Sequence, residues 1–168
     1  LLVSSAASDV YKRQVITKQH IFDFLDDAAE IGVKGISLVS DGESTVSPVF
    51  VDAVERGGKN GLSMATATNG FLLNQDKLER ILPHLTYLRF NISAGEPKRY
   101  AEIMGCKEQW FERVCKNIEL AVKIKKQKNL KVTIGMQMVF MPQYHDQILP
   151  LAKLGKRIKP DYLVIKQC

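Results

Sequence analysis

Cysteine is scarce in this chain: Cys106, Cys115 and Cys168 are the only three. Their spacings match no common zinc or thiol-redox motif, and an odd, low count points to a reducing compartment, hence the cytoplasm. No apolar run reaches the roughly 18 residues of a spanning helix, so no membrane partner is expected. The three histidines, His20, His84 and His145, are scattered over helical or turn settings. They read as surface or capping residues, not metal ligands. No P-loop, no dinucleotide fingerprint and no late glycine-rich loop opening a helix occurs, which removes the usual phosphate-binding signatures.

What is present is an ordinary globular composition, 45% hydrophobic and 25% charged over 168 residues, enough for one domain with a core. The formal charge is +6, and the basic excess is dispersed except for Lys123, Lys125, Lys126, Lys128 and Lys131. This run falls at an expected helix end, where cations meet the negative pole of the helix dipole. No aromatic residue interleaves with it, as a strand-binding groove would require. It reads as a solvated helix end, and nucleic acid is not expected as a partner.

The first residues differ from the rest. Residues 1–14 (LLVSSAASDVYKRQ) lack a charged leader and a continuous apolar core, which argues against a secretory signal. Asp9–Gln14 (DVYKRQ) resembles the translation of a transposon-end adapter used in shotgun sequencing. Residues 1–14 are therefore expected to be non-native, with a truncated domain over 15–168.

From Thr17, a plausible N-cap, the pattern alternates regularly. A helix with Ile21, Phe22, Phe24, Leu25, Ala28 and Ala29 on its apolar face ends at Gly32. A strand follows at Gly35–Ser40. Ser47-Pro48 is expected to open a second helix that breaks at Gly57-Gly58. Leu62–Thr68 reads as a strand, closed by Asn69-Gly70. Leu72–Leu82 reads as a helix with Asn74 as a possible cap. Tyr87–Ser93 is a third strand, and helices are expected over Pro97–Met104 and Gln109–Lys126. Leu130–Phe140 is a fourth strand, Asp146–Arg157 a helix, and Asp161–Lys166 a fifth strand. Strands alternating with helices mean βαβ units and a parallel sheet. Periodicity leaves open a doubly wound sheet or part of a barrel, a full barrel taking roughly 250 residues.

A parallel strand buried on both sides should be apolar on both. Tyr87–Ser93 instead places Leu88, Phe90 and Ile92 on one face and Arg89, Asn91 and Ser93 on the other. In the fourth strand Val132, Ile134, Met136 and Met138 alternate with Thr133, Gly135, Gln137 and Val139, and Gly135 leaves room for close approach to the backbone. The fifth strand aligns Tyr162, Val164 and Lys166. Polar groups thus converge on one interior toward the C-terminal strand ends, where ligands bind in such folds. The loop Asp41-Gly42-Glu43-Ser44-Thr45 stands at one such end, although a capped surface turn explains it equally well.

Taken in order, these features resemble the radical S-adenosylmethionine (SAM) superfamily. Gly42-Glu43 matches part of its Gly-Gly-Glu-Pro-like loop, with Asp41 and Ser44 departing from it. Thr68-Asn69-Gly70 matches its Thr-Asn-Gly, and Asn91-Ile92-Ser93-Ala94-Gly95 its Ile-Ser-Leu-Asp-like segment. Tyr100, Ile103, Gly105, Phe111 and Val114 fit the helices that follow. The resemblance spans Thr17 to Lys166 and implies a partial (βα) barrel, α/β with a parallel sheet, whose first strand is missing. It implies SAM and a [4Fe-4S] cluster as cofactors, reductive cleavage of SAM to a 5′-deoxyadenosyl radical, and an electron donor such as flavodoxin or ferredoxin. Glu43 and the backbone around Gly42 would bind the SAM ammonium. Ser93 and Asn91 would hold the ribose, Thr68 and Gln137 would line the same lumen, and Asn69 is a further cofactor-binding candidate. Arg89 and Lys166 are candidate contacts for the SAM carboxylate or the substrate. The family's CxxxCxxC is absent from this sequence, and Cys106 and Cys115 fall in the wrong place for it. The chain as given is therefore expected to be inactive. A cluster-less barrel serving as a binding or scaffold module is the alternative reading.

Overall fold

The computed structural model describes residues 16–39 and 42–167. The segment read as adapter, the end of the first expected strand at Ser40, and Cys168 lie outside the described residues. Among the described residues eleven α-helices and strands follow one another: α1 (Lys18–Glu30), β1 (Gly35–Leu38), α2 (Phe50–Lys59), β2 (Ser63–Thr68), α3 (Gln75–Ile81), β3 (Leu85–Asn91), α4 (Pro97–Met104), α5 (Gln109–Gln127), β4 (Thr133–Phe140), α6 (Ile148–Ile158) and β5 (Tyr162–Gln167). The Thr17 hydroxyl accepts from the His20 N–H to start α1, and the Asn74 side chain caps α3 from Lys77 N–H. Each supplies an acceptor to a helix N–H that has none inside the helix.

The strands pair in the order β1-β2-β3-β4-β5, and every pair is parallel. A doubly wound sheet reverses its strand order at a switch point. This one never does, so successive crossovers step in one direction, as in a barrel wall. Leu88, Phe90, Ile134, Met136 and Met138 are all fully buried and form one core with Ile21, Leu25, Val54, Ile118 and Leu151 of the helices. That side of the sheet is the helix side.

Several boundaries move, for identifiable reasons. Gly57-Gly58 does not break α2, which runs on to Lys59. A Cβ on Gly57 would stand 2.3 Å from the Met64 sulfur, and one on Gly58 2.6 Å from the His84 Cβ. These glycines permit close packing of a helix against its neighbours and are not turn signals. Helix α2 begins at Phe50, because Ser44–Val46 first forms a 3-10 turn. Pro142–Gln147 forms another before α6, so that helix starts at Ile148 and not at Asp146. Strand β3 stops at Asn91, two residues short of Ser93, and β4 begins at Thr133, three after Leu130. The lysine run ends α5, where Lys125 pairs with Asp161 at 2.5 Å and Lys128 with Glu79 at 3.5 Å.

Candidate functional site

The loop after β1 is built around one carboxylate. Glu43 caps the Ser44–Val46 turn: its Oε1 accepts from the Thr45 N–H at 3.1 Å and the Thr45 hydroxyl at 2.6 Å. The same oxygen accepts from the Thr68 hydroxyl at 2.7 Å, and Oε2 accepts from the Asn69 N–H at 2.7 Å. The loop is thereby fastened to the C-terminal end of β2. Thr66 and Ser44 hydroxyls add bonds to the Leu38 carbonyl at 2.9 and 3.2 Å. A carboxylate oxygen offers about two lone-pair positions, so among the described residues Oε1 is fully subscribed while Oε2 takes one bond. Gly42 is exposed and precedes this carboxylate, with open space where a Cβ would stand.

Asn69 spends its side chain locally, Oδ1 accepting from Phe71 N–H at 2.9 Å. Thr68 corrects one expectation. It does not share a lumen with Gln137: the register pairs Thr68 with Phe90 and Phe90 with Met136, on the helix side. Its hydroxyl is occupied by Glu43 and by Gly70 N–H, at 3.0 Å.

The opposite face carries the polar groups, as alternation predicted. Arg89 stands beside Ala67 and Gly135, and Asn91 beside Gln137. Three atoms there are shielded from solvent and lack any hydrogen-bond partner among the described residues: Arg89 Nε, Asn91 Oδ1 and Gln137 Oε1. Buried polar atoms are paired in nine or more cases of ten, so a cluster of exceptions needs an explanation. Ser93 follows in the same alternation, half-buried, just beyond the strand. Lys166, beside Val139 on β5, is exposed.

The sequence did not reveal what lies below them. Tyr162 pairs with Gly135, and a Cβ at Gly135 would fall 1.9 Å from the Tyr162 Cζ. The space at Gly135 is thus filled by the chain's own ring. Tyr87 and Tyr162 stack with centroids 6.0 Å apart and share a hydrogen bond between their hydroxyls. Burial, then the Tyr87 hydroxyl, push the Tyr162 phenol well above its ordinary pKa, so it stays protonated. The only signal for this pair was a tyrosine at alternating positions in two strands 75 residues apart.

The residues fit a polar organic ligand and do not fit a metal cluster. Unpaired acceptors and a guanidinium at the C-terminal half of the strands can take the hydroxyls, ammonium and carboxylate of a molecule such as SAM. No group of three His, Cys, Asp or Glu among the described residues is placed to hold a metal ion. Cys115 is buried in the helix layer, its thiol pushed up to about 11 by burial, which makes it a poor ligand.

The sequence model of the Radical SAM superfamily matches residues 5–154. The chain belongs to that superfamily. An S-adenosyl-L-methionine-dependent tRNA 4-demethylwyosine synthase of Methanocaldococcus jannaschii is 26% identical over 133 residues, covering 79% of this chain and 39% of that protein. Streptococcus suis SuiB bound to S-adenosylmethionine superposes with a TM-score of 0.73 at 18% identity, over 92% of this chain and 34% of SuiB. TYW1 with a lysine-pyruvate adduct bound gives 0.65 at 21%, over 90% of this chain and 51% of TYW1. These two show the shared fold, a partial barrel. The chain spans between about a third and a half of the length of these relatives.

Proposed function

We propose, from membership of the radical SAM superfamily, that residues 16–167 are the SAM-holding part of a radical SAM enzyme of the cytoplasm. The single observation carrying this reading is the cluster of unpartnered buried atoms, Arg89 Nε, Asn91 Oδ1 and Gln137 Oε1, on the face opposite the helices. Asn91, Ser93 and Gln137 accept or donate to ribose hydroxyls. Glu43, with the Gly42 backbone, takes the ammonium as a charge-assisted hydrogen bond. Thr68 and Asn69 contribute by fixing that carboxylate. Arg89 and Lys166 are the cations available to a carboxylate. The chemistry that SAM supplies when bound, given one electron from a [4Fe-4S] cluster, is a 5′-deoxyadenosyl radical for hydrogen abstraction.

The cluster would be held by cysteines outside this sequence, which contains no CxxxCxxC. The electron would come from a flavodoxin- or ferredoxin-type donor. Nucleic acid is not proposed as a partner, since Lys125 and Lys128 of the basic run are engaged with Asp161 and Glu79.

Equilibrium dialysis of the chain against labelled SAM tests the reading. Saturable binding is expected, weakened roughly tenfold or more when Asn91→Ala and Gln137→Ala are combined, since each loses a bond worth about 1 kcal/mol. Absence of binding, or binding indifferent to both substitutions, refutes it.

A further inference from the structure

Strand β3 ends at Asn91, so Ser93 stands beyond the ladder that joins β3 to β4. Its backbone is held from both sides. Before it, the Ile92 N–H donates to the Gln137 carbonyl at 2.9 Å. After it, the Gly95 N–H donates to Gln147 Oε1 at 3.1 Å. Ile92 and Ala94, which flank Ser93, are fully buried. Gly95 lies against the start of α6, where a Cβ would fall 2.2 Å from the Pro150 carbonyl carbon. The segment carrying Ser93 thus has one anchor in the sheet and one in the turn before α6.

Gln147 is 1% exposed, while Pro142, Gln143, His145 and Asp146 of the same turn are exposed. Burying an amide is unfavourable unless its groups are bonded, and here both ends are. Its Nε2 donates to Asp146 Oδ2 at 2.8 Å and to Glu96 Oε2 at 3.3 Å. These carboxylates dictate which way the amide faces. Turned over, it would set its oxygen against both of them and its NH2 against the Gly95 N–H. Asp146 is fixed in turn by Arg99, whose Nε and Nη2 donate to its two oxygens at 2.8 and 3.0 Å. Those bonds hold the Asp146 carboxyl well below the usual carboxylate range, so it stays ionised. All of these are side-chain bonds outside the helices and the sheet ladder. They join the loop after β3 to the turn after β4, two connections at the C-terminal ends of the strands.

We infer that Gln147 is a positioning residue, which holds the Asn91–Gly95 segment in the shape that presents Asn91 and Ser93 to the ligand. The role deepens the reading proposed above and rests on it, because the ligand contacts belong to Asn91 and Ser93.

The test compares the parent chain with Gln147→Ala and Gln147→Glu by equilibrium dialysis against labelled SAM from pH 8 to 5, with circular dichroism to establish folding. Gln147→Ala leaves the Gly95 N–H without its acceptor and should weaken SAM binding roughly tenfold throughout. Gln147→Glu sets a third carboxylate against Asp146 and Glu96. Like charges oppose its ionisation, so it takes up a proton above the ordinary range of a glutamate. Protonated, it again offers an oxygen to the Gly95 N–H and a donor to a carboxylate. Its affinity relative to the parent should be roughly tenfold low at pH 8 and recover towards pH 5. The other charged or titratable groups facing this position are Glu96, Arg99, Glu102, His145 and Asp146. All are common to parent and variant, so the ratio isolates the new carboxyl. A merely structural amide would lower stability and leave SAM affinity unchanged in both variants, and that result overturns the role. A Gln147→Glu ratio that does not move with pH overturns it as well. Where neither variant folds, amide hydrogen exchange of the parent decides. Protection of the Gly95 N–H comparable to that of the Ile92 N–H supports the anchor, and exchange at the rate of an exposed amide overturns it. A parent that binds no SAM overturns the reading above and the role with it, whereas parent binding that both variants retain overturns the positioning role alone.

Discussion

Replacing Glu43 by Gln separates the structural work of this carboxylate from any contact it makes with a ligand. The carboxylate accepts three bonds at Oε1 and one at Oε2. An amide has a single oxygen. If that oxygen takes the place of Oε1, the new NH2 faces the Asn69 N–H, donor against donor. If it takes the place of Oε2, the Thr45 N–H and the two threonine hydroxyls meet the NH2 instead. The hydroxyls can rotate and accept, but the backbone N–H groups cannot. Either orientation loses one charge-assisted bond and leaves one backbone donor unpaired, a cost of about 2–3 kcal/mol. At roughly 2–4 °C per kcal/mol for a chain of this size, Glu43→Gln should lower the thermal midpoint by about 4–12 °C with no ligand present. Circular dichroism melts of the two proteins without SAM measure this directly. An unchanged midpoint would mean that the latch between the β1 loop and β2 contributes nothing, and that Glu43 is held in place by other contacts.

Two further outcomes follow from packing and titration. Gly95→Ala should destabilise by about 3 kcal/mol or prevent folding, because the new Cβ would fall 2.2 Å from the Pro150 carbonyl carbon, which is backbone and cannot rotate away. Gly42→Ala, with open space at its Cβ, should leave the urea midpoint nearly unchanged; equal effects from the two would refute the packing account. Hydrogen bonds from Arg56 and Asn60 lower the Asp26 pKa from 3.8 to about 2. A lowered folded pKa gives stability that is present above the unfolded value and lost as pH falls through the folded one. The stability difference between the parent and Asp26→Asn should therefore hold steady from neutral pH down to about 5 and shrink between about pH 4 and 2. A difference that persists undiminished at pH 2 would exclude the linkage.

The elements were legible wherever a local period carried them. The alternation Leu88, Phe90, Ile92 against Arg89, Asn91, Ser93 assigned both faces of β3, and the fully buried apolar set agrees with it. Gly57-Gly58 misled because a glycine pair signals a break when the chain is considered alone. In the fold it signals the close approach of Met64 and His84, which come from other elements. The choice between a doubly wound sheet and a barrel wall likewise depended on strand order, which no single segment encodes.

The site shows the same division more sharply. Periodicity assigns a residue to a face, but only register assigns its neighbours, and register is a relation between strands far apart in the chain. Thr68 therefore looked like a companion of Gln137 until the pairing placed it beside Phe90. Arg89 was visible as a cation on a polar face, but the lack of a partner for its Nε among the described residues was not. Its register neighbours are Ala67 on one side and Gly135 on the other, with a tyrosine pair from strands β3 and β5 on the same face, each unremarkable alone. The chemical content of the face lies in a juxtaposition: Arg89 Nε, Asn91 Oδ1 and Gln137 Oε1 come together there, each shielded and each without a partner among the described residues.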